Sequence, residues 1–314
     1  FTSSESLSSP VVTLAGQTQA LYGEGTSWSA TYTVQAGDDA GASPAGMAGL
    51  VLWLDATNVD GLSNTTLSDG GSVSEWKDLS GNGNHAQAPG SGNRPTFQTG
   101  EGGYVKFDGV VSSSDGDYLQ VQNTASIEVD QNNGNAYIGF VVYENLSAAN
   151  PNQTLILGNY RTSTTKTWGL YILPSGKTSH FIRDDSGSGE INFKHSKNIG
   201  IDNKRHILAF GVNGIENKVF TIIDGLKQES TNTELRSLNS GQDLIIGSGH
   251  LNRFAGGKIQ EIIFVNNKTL SSSQIYQIQY YLSKKWGLTT TIDSDGDSVS
   301  DVSDDAPTGL IAEP

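Results

Sequence analysis

The chain has 314 residues, with 33 acidic and 19 basic side chains, and therefore a formal net charge of −14. It contains no run of about 18 apolar residues, which excludes a membrane-spanning helix, and its acidic balance argues against nucleic acid as a partner because no basic patch is present to neutralise phosphates. The absence of cysteine excludes disulfides, thiolate nucleophiles and cysteine-based zinc sites.

The N-terminal segment, residues 1–46, is predicted to form β-strands. Apolar side chains alternate along SWSATYTV, the period of a half-buried strand, at Trp28, Ala30, Tyr32 and Val34. The segment is too short for a complete sandwich, so further strands either precede the chain or return later in it. Residues 43–46, Ser-Pro-Ala-Gly, are typical of a linker.

Residues 49–288 contain about a dozen short β-type segments separated by turn signals, with no alternating helices. This pattern predicts an all-β fold, an antiparallel β-sandwich or jelly roll. Asp224-Gly225 predicts a tight hairpin, because both residue types tolerate positive φ. The segments are LVLWLDA, YVKFDG, DYLQVQ, AYIGFVVYE, TLILGNY, TWGLYIL, HFIRDD, EINFKH, HILAFGVNG, KVFTIIDG, DLIIGSG and IQEIIFVN.

One helix is predicted at the end of this block. Ser271 and Gln274 form a capping-box pattern. Ile275, Ile278 and Leu282 follow at helical spacing, and Gly287 can terminate the helix.

The C-terminal tail, residues 289–314, has the spacing of a calcium-binding loop. Aspartates stand at positions 1, 3, 5, 9 and 12 of this loop, and the backbone carbonyl of Val299 stands at position 7. Position 6, where glycine usually makes the turn, is Ser298. The predicted Ca²⁺ ligands are Asp293, Asp295, Asp297, Val299, Asp301 and Asp304.

DSDGDSVSDVSDDAP resembles a thrombospondin type 3 calcium repeat over its whole length, including Pro307. The resemblance implies Ca²⁺ as a cofactor of the tail. The alternative is a disordered acidic linker without bound ions.

The ends of the 49–288 block resemble those of a laminin-G-like (concanavalin A-like) jelly-roll domain. The resemblance is carried by GLVLWLDA and WKDLSGNGNH at the start and by GGKIQEIIFVN and KKWGL at the close. It implies two curved antiparallel sheets and a Ca²⁺ near one rim, with Asp78 and Asn82 as candidate ligands. The alternative is an Asx-turn, in which Asp78 bonds its own backbone.

Residues 1–46 resemble half of an immunoglobulin-like repeat of large bacterial adhesins, through SSPVVTLAGQ and GEGTSWSATYTV. The resemblance implies an extracellular, cell-surface location and a chain that is part of a longer protein.

The sequence predicts no enzymatic activity. Jelly-roll β-glucanases carry Glu-x-Asp-x-x-Glu, whose glutamates act as nucleophile and acid. Here Glu128 and Asp130 begin this pattern, but Asn133 replaces the second glutamate.

Loops that combine aromatic and planar polar side chains are candidates for sugar binding. Trp168 alternates with Leu170 and Ile172, however, which favours burial. The candidate ligand-binding residues are Tyr160, Arg161, Trp168, Arg183, Asp184, His250 and Arg253.

Together these features predict a partial immunoglobulin-like segment (1–46), a laminin-G-like jelly roll (49–288) and a thrombospondin type 3-like tail (289–314). The predicted function is calcium-dependent, non-catalytic binding of a carbohydrate or other cell-surface ligand, as a monomeric module of a bacterial adhesin with no membrane insertion. The alternatives are an accessory carbohydrate-binding module of an extracellular polysaccharide-degrading enzyme, or a calcium-stiffened spacer without a ligand.

Overall fold

The β-type segments of residues 49–288 pair into two antiparallel eight-stranded sheets, called sheet I and sheet II, which pack as a β-sandwich. The predicted all-β class and the dozen predicted strands are thereby confirmed. The computed structural model describes residues 12–14, 17–19, 21–24, 26–30, 43–109, 116–129, 136–146, 154–159, 167–183, 190–200, 202–231, 241–247, 254–266 and 268–309.

Two hairpins precede the sandwich. They are β1 (Val12–Leu14) with β2 (Gln17–Gln19), and β3 (Leu21–Glu24) with β4 (Ser27–Ala30). The immunoglobulin-like assignment of residues 1–46 stays a prediction.

The strands of sheet I follow a spatial order that differs from their chain order. The order is β15 (Glu190–Asn198), β14 (Lys177–Arg183), β13 (Thr167–Ile172), β12 (Thr154–Gly158), β19 (Leu244–Ile246), β10 (Leu119–Val121), β7 (Ala86–Gln87) and β6 (Glu75–Trp76).

Sheet II contains the longest described strand, β20 (Gly256–Asn266), in its interior. Its order is β18 (Leu226–Thr231), β17 (Lys218–Ile223), β16 (Arg205–Asn213), β11 (Tyr137–Asn145), β20 (Gly256–Asn266), β9 (Tyr104–Asp108) and β8 (Thr96–Gln98), while β5 (Leu50–Asp55) also pairs with β20. Short 3₁₀ helices occupy Ala56–Asn58, Ser91–Asn93 and Gly100–Gly102.

Alternation places one face of each sheet in a shared core. Trp168 of β13 is 1 % exposed. Its ring stacks on Phe264 of β20, with a centroid distance of 5.2 Å and an interplanar angle of 4°. A ring enclosed between two sheets cannot contact a sugar, so the predicted ligand-binding role of Trp168 is wrong. The competing signal, alternation with Leu170 and Ile172, was the correct one.

The outer face of sheet I carries a second, smaller apolar cluster. Leu155, Tyr171, Phe181 and Ile245 pack there, and Tyr118 lies against them. Each alternates with core residues on its own strand, as Ile245 does between Leu244 and Ile246. This face is therefore apolar near its centre, and polar side chains lie toward both of its edges, with Gln87 and Gln120 near β6 and Arg183 and Glu190 near β15.

The predicted helix is confirmed as α1 (Ser272–Lys285). Ser271 accepts a hydrogen bond from the backbone N–H of Gln274, and the Gln274 side chain accepts one from the backbone of Ser271, which completes the capping box. Ile275, Ile278 and Leu282 are buried, and Gly287 takes the positive φ of +65° just after the helix.

A buried carboxylate anchors α1 to sheet II. Glu261 of β20 accepts hydrogen bonds from the indole N–H groups of Trp53 and Trp286, both at 2.7 Å. Lys285 approaches Glu261 at 2.8 Å and Asp55 at 2.5 Å. Burial raises the pKa of Glu261, and these donors compensate the carboxylate for its lost hydration. The described residues contain no helix long and apolar enough to cross a membrane.

Candidate functional site: a polar rim pocket and an aspartate loop

The carboxylate of Asp78 organises the loop of residues 76–85. Asp78 is 7 % exposed. Its Oδ1 accepts hydrogen bonds from the backbone N–H groups of Trp53 and Ser80, each at 2.9 Å. Its Oδ2 accepts bonds from the Ser80 hydroxyl at 2.7 Å and from the Asn84 backbone N–H at 2.9 Å. Four donors of the chain itself therefore surround this carboxylate.

These hydrogen bonds weigh against the rim calcium site at Asp78 and Asn82, which stays a prediction. A cation would have to displace the N–H and O–H donors that already occupy both oxygens of Asp78. The Asn82 amide N–H₂ instead donates to the Leu50 carbonyl at 2.9 Å. The alternative, an Asx-turn between Asp78 and Ser80, is present.

A polar pocket of about 320 Å³ opens beside this loop, and we call it the rim pocket. Gln87 of β7 and Gln120 of β10 are directly opposite each other, so their side chains lie on the same face of sheet I. The Gln87 amide donates to Glu75 at 2.8 Å, which orients it. The polar side chains of the lining are His85, Gln87, Gln120, Gln122, Thr124 and Asp243, together with Asn84.

Hydrogen bonds to the surrounding chain fix several polar groups of the rim pocket. The backbone N–H of Asp78 donates to Nδ1 of His85 at 3.0 Å, so the neutral imidazole carries its proton on Nε2. The backbone N–H of Asn123 donates to Oδ1 of Asp243 at 2.9 Å. The Thr124 hydroxyl donates to the Asn84 side-chain oxygen at 3.1 Å. The pocket thus presents amides, an imidazole N–H, a hydroxyl and one carboxylate on a constrained scaffold.

The tail forms a second concentration of polar groups. Oxygens of Asp293, Asp295 and Asp297 lie within 4.8 Å of one another. Burial, with the neighbouring carboxylates of Asp297, Asp304 and Asp293, raises the pKa of Asp295. Oδ2 of Asp304 is buried and has no hydrogen-bond donor. Ser298 adopts φ +79°, a conformation that glycine takes more readily, and so makes the turn predicted at position 6.

Asp301 lies outside this three-residue cluster, and its role as a calcium ligand stays a prediction. Its Oδ1 accepts a bond from the Ser294 backbone N–H at 2.7 Å, and its Oδ2 accepts bonds from the hydroxyls of Ser294, at 2.8 Å, and Ser283. The side chain is 5 % exposed and joins the tail to α1. The carbonyl of Val299 stays a predicted ligand, and its side chain is 38 % exposed.

The aspartate loop is packed against the sandwich. Ile292, just before the loop, is buried in the main core. The loop also lies on the β17–β18 turn, where Asp224 and Gly225 both adopt positive φ, as predicted for a tight hairpin. A Cβ at Gly225 would lie 1.4 Å from the backbone oxygen of Asp293, so only glycine permits this approach.

The remaining predicted ligand-binding residues are only partly described. Arg183, at the end of β14, forms an ion pair with Glu190 at 2.9 Å and lies over the Phe181 ring at 5.3 Å. These contacts place its guanidinium on the outer face of sheet I. Tyr160, Arg161, Asp184, His250 and Arg253 lie outside the described residues, as do Asp130 and Asn133 of the glucanase comparison.

Sequence reasoning missed the glutamines of the rim pocket. Gln87 and Gln120 lie on strands of two and three residues that are 33 positions apart in the sequence. No local pattern marks either residue. The WKDLSGNGNH segment is a usable signal, because its residues Gly83, Asn84 and His85 line the same pocket and Gln87 follows two positions later.

No protein-family model matches the sequence, and no curated protein matches it. Among solved structures, the chain is similar to the binding domain of Paraclostridial Mosquitocidal Protein 1, with a TM-score of 0.53, 15% identity and coverage of 74% of this chain and 51% of that chain. It is also similar to the Botulinum neurotoxin serotype G binding domain, with a TM-score of 0.51, 15% identity and coverage of 77% of this chain and 51% of that chain.

Domain 4 of AbnA, a GH43 extracellular arabinanase from Geobacillus stearothermophilus in complex with arabinotriose, has a TM-score of 0.47, 15% identity and coverage of 74% of this chain and 97% of that domain. The two toxin structures share the β-sandwich fold with this chain. The chain spans about half the length of those toxin structures.

Proposed function

We propose that this chain is a calcium-stabilised, non-catalytic glycan-binding module of an extracellular protein. The observation that carries the proposal is the rim pocket, an open cavity of about 320 Å³ whose polar lining is mostly uncharged. Hydrogen bonds to the chain fix several of its polar groups, including Gln87 and His85. This volume lies within the usual range of about 300–1,000 Å³ for small-ligand sites.

The chemistry of the rim pocket fits sugar hydroxyls. A hydroxyl both donates and accepts, and an amide side chain such as Gln87 or Gln120 offers both partners in one plane. The Nε2–H of His85 adds a donor, and Asp243 adds an acceptor. Preorganised groups of this kind lose little conformational entropy when the ligand binds.

The carboxylates of the pocket support binding rather than hydrolysis. Glycoside hydrolysis generally uses two carboxyl groups that flank the scissile bond. Within the described lining, Asp243 is the carboxylate that faces the pocket. Glu128, from the glucanase comparison, accepts a hydrogen bond from the Asn123 amide at 3.0 Å.

The aspartate loop fits Ca²⁺, a hard cation that binds several oxygens in a flexible geometry. Asp293, Asp295 and Asp297 bring oxygens together that repel one another without a cation, and Asp304 adds a buried oxygen without a donor. These four residues would bind the ion, which supplies the positive charge that the cluster lacks. Because the loop contacts α1 and the β17–β18 turn, the ion would stabilise the sandwich itself.

The extracellular context is supported by three features. The chain has no cysteine, its tail is similar to an extracellular calcium repeat, and its N-terminal segment resembles an adhesin repeat. The solved structures with the same fold include domains described as toxin binding domains. A ligand-binding module within a bacterial surface adhesin accounts for these features together.

A glycan array with matched variants tests the proposal. We expect wild-type protein to bind a defined set of neutral glycans, and Gln120→Ala to weaken that binding at least about tenfold, or about 1.4 kcal/mol. Gln277→Ala, on α1, is the matched control and should bind as wild type. Absence of binding by the wild-type chain, or equal binding by both variants, would contradict a glycan site in the rim pocket.

A further inference from the structure

A second cavity, of about 410 Å³, lies between the β16–β18 end of sheet II and the start of α1, and we call it the helix pocket. It is larger than the rim pocket and has a different lining. Its floor is apolar and includes Phe220 and Ile275, which are 7 % and 9 % exposed. Its walls carry the charged side chains of Glu216, Lys218, Lys227, Glu229 and Lys268.

Ion pairs position two of the lysines. Lys218 and Lys227 share one carboxylate, that of Glu229, at 2.6 Å and 2.7 Å. Lys218 also approaches Glu216 at 3.4 Å, and Lys227 lies 5.5 Å from the centroid of the Phe220 ring. Hydrogen bonding to Lys218 and then to Lys227 lowers the pKa of Glu229. The ion pairs hold these groups beside the apolar floor.

Lys268 differs from the other two lysines. It precedes α1 and lines the same pocket, but its ammonium group has no acidic partner among the described residues. The lining thus contains three ammonium groups and two carboxylates, and carries one net positive charge. This excess is notable in a chain of net charge −14, whose overall field repels anions.

We infer that the helix pocket is a second saccharide subsite, selective for a sugar that carries a carboxylate. One carboxylate cancels the excess charge of the lining and gives Lys268 a partner. The apolar face of a sugar ring can lie against the floor at Phe220, while its hydroxyls bond the Lys–Glu–Lys group and Asn213. The volume of the pocket accommodates a sugar-sized ligand. This inference is independent of the rim pocket.

Calorimetry with a matched set of ligands tests this inference. Trigalacturonate carries carboxylates on a sugar chain, its methyl ester removes the charge and keeps the sugar, and succinate keeps charge without the sugar. We expect trigalacturonate to bind wild-type protein at least about tenfold more tightly than either of the others. Calcium concentration is kept constant in all titrations.

Variants identify the residue responsible. Lys268→Met removes the charge and keeps most of the side-chain length, and should weaken trigalacturonate binding about tenfold while leaving the methyl ester unchanged. Lys177→Met, at an exposed lysine of β14, is the control and should have no effect. Gln120→Ala should also leave this binding unchanged, which separates it from the rim pocket.

Three outcomes would overturn the inference. The first is no binding of trigalacturonate, or equal binding of the acid and its ester. The second is equal binding of succinate, which would mean that the pocket recognises charge without sugar. The third is a Lys268→Met variant that behaves like Lys177→Met. None of these outcomes bears on neutral glycans at the rim pocket, so the two proposals fail separately.

Discussion

The loop around Asp78 and the aspartate loop of the tail contain similar residue types, yet their carboxylates differ in how many acids lie beside them. Asp78 receives four hydrogen bonds from its own chain. Asp293, Asp295 and Asp297 also accept backbone N–H bonds within their own loop, but their oxygens lie within 4.8 Å of one another, and Asp304 has a buried oxygen without a donor. The comparison teaches that the balance of nearby donors and nearby acids decides whether an aspartate supports the fold or is available to a cation.

The largest expected effect is that of Asp78→Ala, which tests the structural side of this comparison. The change removes the acceptor of several partly buried donors at once, and should lower the free energy of unfolding by about 3 kcal/mol. Urea denaturation measures this loss. Asp69→Ala is the matched control, because Asp69 is exposed and, within the described part of the chain, bonds only Thr99. Its expected effect is below about 1 kcal/mol.

Calcium stoichiometry should be unchanged in Asp78→Ala, as measured by native mass spectrometry. Loss of one bound ion in this variant, relative to Asp69→Ala, would show that the Asp78 loop binds calcium despite its hydrogen bonds.

Removal of calcium tests the other side of the comparison and has the next largest expected effect. If the ion binds only the folded state, a hundredfold excess over Kd stabilises it by about 2.7 kcal/mol. The whole sandwich should respond, since the loop contacts α1 through Asp301 and the core through Ile292. Thermal melts with millimolar calcium and with EDTA measure the shift, and identical melts would contradict it.

Asp295→Asn sharpens this test because its effects with and without calcium have opposite signs. In EDTA the variant lacks the Asp295 carboxylate, which burial and the neighbouring acids destabilise, so it should be slightly more stable than wild type. With calcium it lacks a ligand and should gain less stability. A variant that is equally affected under both conditions would point to a structural role for Asp295.

The sequence predicted the fold better than the site, for physical reasons. Strand alternation, the Ser271–Gln274 capping box and the Asp224–Gly225 turn are local signals, and all three are confirmed. The rim pocket depends on pairing between β7 and β10, which no local pattern encodes. Likewise, the spacing of the tail could not reveal that Asp301 bonds Ser283, because this contact depends on how the tail packs.

A third acid lies between the two extremes and gives a pH dependence. Asp117 is 8 % exposed, accepts a bond from the Asp108 backbone N–H at 2.9 Å and faces the Asp108 carboxylate. Burial, followed by the charge of Asp108, raises its pKa from 3.8 to about 7. The folded state therefore binds this proton more tightly than the unfolded state, and the associated stability is complete below pH 3.8 and lost as the pH rises through 7.

Asp117→Asn should remove this loss. Near pH 4 the variant and the wild type should be about equally stable. At pH 8 the variant should be more stable by about 2 kcal/mol, which is less than the roughly 4 kcal/mol that the full pKa shift of Asp117 represents. Denaturation curves across this range measure the difference. A constant difference between the two proteins at every pH would contradict the assignment.

The smallest expected effects separate two neighbouring aspartates of the tail, Asp301 and Asp304. Asp301→Asn keeps the size of the side chain but weakens its bonds to Ser283 and Ser294, so it should lower the free energy of unfolding by about 1 kcal/mol and leave calcium affinity unchanged. Asp304→Asn removes charge from an oxygen without a donor, and should weaken calcium binding with little effect in EDTA. Calorimetric titration and denaturation of both variants measure the two quantities. If Asp301→Asn were the variant that loses calcium, Asp301 would be a ligand in the ion-bound protein, as its position in the loop predicts. Its hydrogen bonds to Ser283 and Ser294 would then describe only the ion-free state.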